Sequence, residues 1–154
     1  MYTITEDPKG EVYNKLIDLA FESCDMFHLV IRKDMMSNVK RGLKHYQPIL
    51  NKLEQSLIEM KEELEWASNQ LLHSTAFVYY YHTTEEAKKI LKELSNSLYG
   101  WIAPHLPEDL AFFKKGKLWL VSSAHEEWSE LLADEHEVER LLEIKGLQLE
   151  KTDY

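Results

Sequence analysis

The stretch DLAFFKKGKLWLVSS (109–123) sets the strongest limit on what this chain can fold into. Two apolar runs flank Lys114-Lys115-Gly116-Lys117, and the glycine supplies the tight turn of a β-hairpin. Strands joined by a hairpin run antiparallel, so a purely parallel sheet is excluded. Two further segments read as strands. MFHLVIRK (26–33) is apolar and β-branched without clean alternation, which predicts a strand covered on both faces. STAFVYYYHT (74–83) is rich in aromatic residues suited to a pleated surface.

The segments between these strands carry helical spacing. Val12, Leu16, Leu19, Ala20 and Ser23 share a face after Pro8 and Gly10, predicting a helix over 10–24. From Pro48 onward, Leu50, Leu53, Leu57, Met60, Leu64, Ala67 and Leu71 alternate steps of three and four. That seam predicts a long helix packed within the domain, with coiled-coil pairing in a homodimer as the alternative. The basic run VKRGLKH (39–45) just before it reads as a solvated loop. Thr83-Thr84-Glu85-Glu86 has the form of a capping box, followed by an apolar face of Ala87, Ile90, Leu91, Leu94 and Leu98. A last helix is expected over 124–145, stopped by Gly146, with the tail GLQLEKTDY adding a short strand or staying loose. The resulting order, α-β-α-β-α-β-β-α, predicts a single α+β domain: a mixed or antiparallel sheet of about four strands with helices packed on it.

With 154 residues, of which 44% are hydrophobic, the chain can bury a core of its own. It has no leader-like basic and apolar start and no run approaching 18 apolar residues, which predicts a cytoplasmic protein that does not enter a membrane. The single cysteine, Cys24, has acidic Asp25 beside it and no basic neighbour to activate a thiolate. Net charge is −9, and residues 106–154 hold twelve acids against six bases. Such a surface repels phosphate backbones and attracts basic partners, so nucleic acid is not an expected ligand.

The most site-like stretch is SSAHEEWSELL (122–132). Ser123 and Glu126 stand in capping-box spacing, and Glu126 and Glu127 would favour the start of a helix. Zinc binding of the H-E-x-x-H kind needs a second histidine where Ser129 stands. His136 would lie about 16 Å along a helix from His125, too far for one metal. No metal and no cofactor are therefore expected. His125 is left without a role, and Glu108-Asp109 after Pro107 reads as a loop pair or the first turn of a short helix. Glycine-rich phosphate loops and nucleophile elbows are absent.

Several of these pieces resemble a family of small, functionally uncharacterised bacterial proteins, some of whose members carry a stage III sporulation label. The shared features are Cys24-Asp25-Met26-Phe27 leading into LVIRK, then STAFVYYYHTTEEAKKIL, SNSLYGW and LPEDLAFFKKGKLWLVSSAHEE. The family's P-E-D-L, hairpin aromatic and H-E core falls on Pro107, Glu108, Asp109 and Leu110, then Trp119, then His125 and Glu126. The segment 47–69 departs from the family pattern. The resemblance implies an intracellular bacterial α+β domain and supplies no activity.

Three functional readings follow. The first is a non-catalytic binding protein of inhibitor or toxin-immunity type, presenting Glu126, Glu127, Glu130, Asp134 and Glu135 on the last helix, with the neighbouring hairpin, to a basic protein such as a toxin. The second is an enzyme or small-ligand binder with Arg32, Glu108, Asp109, Trp119 and His125 around a pocket at the strand ends. The third is a homodimeric structural protein joined through the Leu50–Leu71 seam.

Overall fold

A computed structural model describes residues 1–152. In chain order the elements are β1 (Tyr2–Ile4), α1 (Glu11–Ser23), β2 (Met26–Arg32), α2 (Val39–Leu53), β3 (Leu57–Glu63), β4 (Ala76–His82), α3 (Glu85–Leu94), β5 (Glu108–Lys114), β6 (Lys117–Ser123), β7 (Trp128–Leu131), α4 (Glu135–Leu142) and β8 (Leu149–Lys151). The class is α+β, but the sheet has eight strands rather than about four. All pair antiparallel, in the order β3-β4-β2-β5-β6-β7-β1-β8.

The non-alternating run of β2 lies between β4 and β5, and five of its seven residues are buried. One face of the sheet meets α1, α3 and α4. There Phe21 of α1 packs on Phe27 and Phe112 with ring centroids 5.5 and 5.4 Å apart, and Tyr81 stacks on Phe27 at 5.0 Å. Trp101 and Tyr13 are fully buried beside them, the indole N–H donating to the Tyr13 hydroxyl, which donates in turn to the Leu91 carbonyl. The opposite face is covered in part by the segment 64–75, whose Trp66 and Leu71 pack on Val30, Ala76 and Val78.

The strands beyond the expected four are β1, β3, β7 and β8, the last falling in the tail where a short strand was one of two expectations. The periodic seam from Leu50 is divided: α2 starts earlier, at the Asn38 cap, and ends at Leu53. It runs through the basic 39–45 stretch, which is helix and not loop, and through Pro48, an exposed position where water can take up the carbonyl that proline orphans. A turn at Glu54–Ser56 then reverses the chain, pinned by Ser56 Oγ, 2.6 Å from Thr84 Oγ1. Leu57–Glu63 has helical propensity, yet it pairs along β4, so tertiary pairing overrides the local preference. With Leu57 and Met60 on a strand and Leu64 and Leu71 beyond it, the seam cannot form a coiled coil.

The expected helix over 124–145 is also divided. Residues 124–127 form a four-residue hairpin turn with Glu127 at φ 50, and β7 follows. In β7, Ser129 and Leu131 point into the core, and Ser129 Oγ lies 2.7 Å from the Tyr99 hydroxyl. Helix α4 begins only at Glu135, under a complete capping box from Asp134 and Glu137. Of the tail, residues 149–151 pair with β1, while Asp153 and Tyr154 lie outside the described residues.

The central hairpin is as its sequence requires. Lys115 and Gly116 both take positive φ, 50 and 80, the pattern of a two-residue type I′ turn. The strain at Lys115 is offset by its N–H, which donates to Asp25 Oδ1 at 2.9 Å. Thr84 caps α3 by accepting from the Ala87 N–H at 3.1 Å while also anchoring Ser56. Thr84→Ala should therefore lower stability by about 1–2 kcal/mol in urea denaturation, somewhat above the ~1 kcal/mol typical of a cap alone.

Candidate functional site

The acidic pair of the PEDL motif does not open a helix; it starts β5, and it does so through a β-bulge. Between His28↔Ala111 and Val30↔Glu108 the register slips by one residue, and Asp109 adopts φ 55. A left-handed residue at the head of a bulge re-aims the side chains next to it, and Asp tolerates that conformation better than most residues. The outcome is that neighbouring Glu108 and Asp109 are both buried, 0% and 1% exposed.

Asp109 is a hub. One oxygen accepts from the Trp66 indole N–H at 2.9 Å and the Asn69 amide at 3.0 Å; the other accepts from the Ala124 N–H at 3.0 Å. Asn69 also donates to Ser123 Oγ at 3.0 Å, so Ser123 serves this network in place of capping a helix. The bulge thus fastens the 64–75 segment to the end of β6.

Glu108 has a different environment. His125, at the start of the β6–β7 turn, places Nε2 2.9 Å from Glu108 Oε2, close enough for an ion pair but out of line for a hydrogen bond. Among the described residues no other polar group bonds the carboxyl. Burial, reinforced by the charge of Asp109, pushes the Glu108 carboxyl up to about 8, against a partial opposing pull from Arg32. At neutral pH it therefore carries a proton. Arg32, at the end of β2, gives its guanidinium to Asp34 in a bidentate pair at 2.9 and 2.7 Å, which holds the Asp34 carboxyl below its usual range. Arg32 also lies 5.8 Å from the Trp66 ring centroid.

Arg32, Glu108, Asp109 and His125 are thus brought to one end of the sheet, joined by Asp34, Trp66 and Asn69. Trp119 is not among them. It is a buried core residue farther along β6, beside Lys114, Asp134 and Glu137 near the hairpin tip. The expected acidic face on one helix is likewise divided. Glu126 and Glu127 are exposed in the β6–β7 turn, Glu130 is buried in β7, and Asp134 and Glu135 are exposed at the start of α4, at the other end of that strand. Lys114 approaches Asp134 at 3.8 Å and Glu137 at 3.0 Å there.

Chemically, the buried, protonated Glu108 carboxyl lies behind the half-exposed His125 imidazole, close to it but not hydrogen-bonded to it. The other charged groups have prior partners: Arg32 is held by Asp34, and Asp109 by three donors. Burial pushes the Cys24 thiol up, aided by the charges of Glu137 and Asp25, so it stays protonated. Among the described residues, no group of three or more His, Cys, Asp or Glu side chains is placed to hold a metal ion, and no helix is long and apolar enough to cross a membrane. No protein-family model, curated protein or solved structure matches the chain.

Proposed function

We propose that this is a non-catalytic cytoplasmic binding protein that engages a basic protein partner through its acidic surface, with an inhibitor or toxin-immunity role as the concrete form. One observation carries the reading: the acid and base residues at the sheet end are bonded to one another, whereas Glu126, Glu127 and Glu135 stand exposed, beside Asp134 that Lys114 and the α4 cap already engage, on a chain of net charge −9. Exposed carboxylates in excess steer a basic partner and set its orientation. They lie at two separate places, so the partner would span the β6–β7 turn and the start of α4.

A second reading, proton transfer to a small ligand, is favoured by the 2.9 Å approach of His125 to protonated Glu108. It ranks lower because the Glu108 side chain is 1% exposed, which leaves a substrate only the imidazole to meet.

The test is affinity capture from host lysate with immobilised protein and with the variant E126Q/E127Q/E135Q, at low and at high salt. The expected result is a basic protein retained at low salt and weakened about tenfold or more by the triple substitution, since rim charges act through steering and screening. Recovery of no basic protein at either salt, or equal recovery by the variant, overturns the reading.

A further inference from the structure

The sheet face opposite the helices carries a groove that neither reading has used. Trp66, Tyr80 and Phe113 wall it, Glu63 and Glu65 stand along it, and its volume is about 510 Å³. At its back is His28 of β2. This ring is 1% exposed, and neither of its nitrogens has a hydrogen-bond partner among the described residues. It meets Tyr80 edge-on with centroids 5.9 Å apart and Phe113 at 5.3 Å. Buried polar groups in folded proteins are nearly always paired, so an unpaired imidazole lining a groove marks a place for a polar group that comes from outside.

The chemistry of the walls specifies that group. Faces of Trp, Tyr and Phe attract cations through the ring quadrupole. Two of these rings already show it within the chain: the Lys61 ammonium lies 5.8 Å from the Tyr80 centroid, and the Arg32 guanidinium 5.8 Å from that of Trp66. Lys61 is half exposed, and Glu59 at 3.3 Å shares its charge. Glu63 accepts the Tyr80 hydroxyl at 3.1 Å, which fixes a carboxylate at the edge of the ring, and Glu65 adds a second. Burial pushes the His28 ring down to about 4, so at neutral pH it offers a lone pair instead of a positive charge.

We propose that this groove receives a cationic side chain, guanidinium or ammonium, of the basic protein partner, with the aromatic walls and the two glutamates holding the charge and His28 accepting an N–H. The inference rests on the binding reading above and adds to it a second point of contact on another face. A tetra-arginine peptide is a sufficient probe, followed by NMR of isotopically labelled protein with tetra-glutamate as control. Saturable shifts of the Trp66 indole and His28 ring signals are expected with tetra-arginine alone. The variant E63Q/E65Q, altered at the rim and not in the core, should bind about tenfold more weakly. Shifts confined to the β6–β7 turn and α4 would overturn the groove while leaving the acidic-surface reading in place. Equal affinity of wild type and variant would also overturn the groove. No shifts anywhere would overturn both.

Discussion

Replacing Asp109 with alanine will cost the protein about 3–5 kcal/mol, the largest loss expected from any single change at the sheet end. Three N–H donors lose a charged acceptor, and those of Trp66 and Ala124 are buried, where an orphaned donor costs about 1–3 kcal/mol. Alanine at φ 55 adds roughly 1–2 kcal/mol of backbone strain that aspartate bears more easily. Release of a buried charge recovers part of this, which keeps the total below the plain sum. Asp109→Asn keeps the left-handed preference and one acceptor, so about half the loss is expected. Urea denaturation measures both, and hydrogen exchange adds a local signature. Residues 64–75 should lose protection before the rest of the sheet, because Asp109 is what ties Trp66 and Asn69 down. Uniform loss of protection across the sheet would deny Asp109 its role as the fastener.

Glu108→Gln should do the opposite at neutral and alkaline pH. The folded carboxyl titrates near 8, above the 4.5 expected of an unfolded chain. Between those values the native state holds a proton that the unfolded state has released, so wild-type stability falls as pH rises through this window. The penalty is absent below pH 4.5 and complete above pH 8. Glutamine does not titrate, so the stability difference between variant and wild type should grow from near zero to about 5 kcal/mol across that range, an order-of-magnitude value. Taking the difference between the two proteins cancels the other carboxylates. A difference that shrinks or reverses with rising pH would mean that Glu108 is ionised and paired with a charged His125.

Where the sequence carried two agreeing signals, the structure was legible in advance. The apolar run of β2, the aromatic run of β4 and the Lys115-Gly116 turn each combine composition with punctuation, and each stands where it was expected; α3 also follows its cap signal, but the cap is Thr84 and not the Thr83–Glu86 box. Where a local pattern had two valid uses, it misled. Ser123 and Glu126 suit a capping box, but a four-residue turn accepts the same residues, and pairing of β7 between β6 and β1 decides between them. Leu57–Glu63 reads as helix until β4 is beside it. β1 and β8 are three residues each, too short to show a period.

The candidate site was legible only in part, for a related reason. Arg32, Glu108, Asp109 and His125 stood out as charged groups at strand ends, and strand ends meet. Trp119 shared their motif but lies farther along β6, where alternation turns it into the core. Asn69 and Asp34 carried no signal, since their roles come from distant partners at the bulge and from a turn two residues past Arg32. His28 did have one, being the polar residue inside an apolar strand.

The position of β1 has a consequence for how the molecule comes to be folded. Tyr2 and Thr3 pair with Leu131 and Glu130 on one side and with Lys151 and Glu150 on the other. During synthesis β1 therefore has no neighbouring strand to pair with until β7 and β8 have been made. The hairpin β5–β6 can form as soon as it appears, and β2 needs only β4 and β5, whereas β1 demands the longest loop closure among the described strands. The order of assembly thus runs from the middle of the sheet outward, with β1 among the last of its strands to be placed.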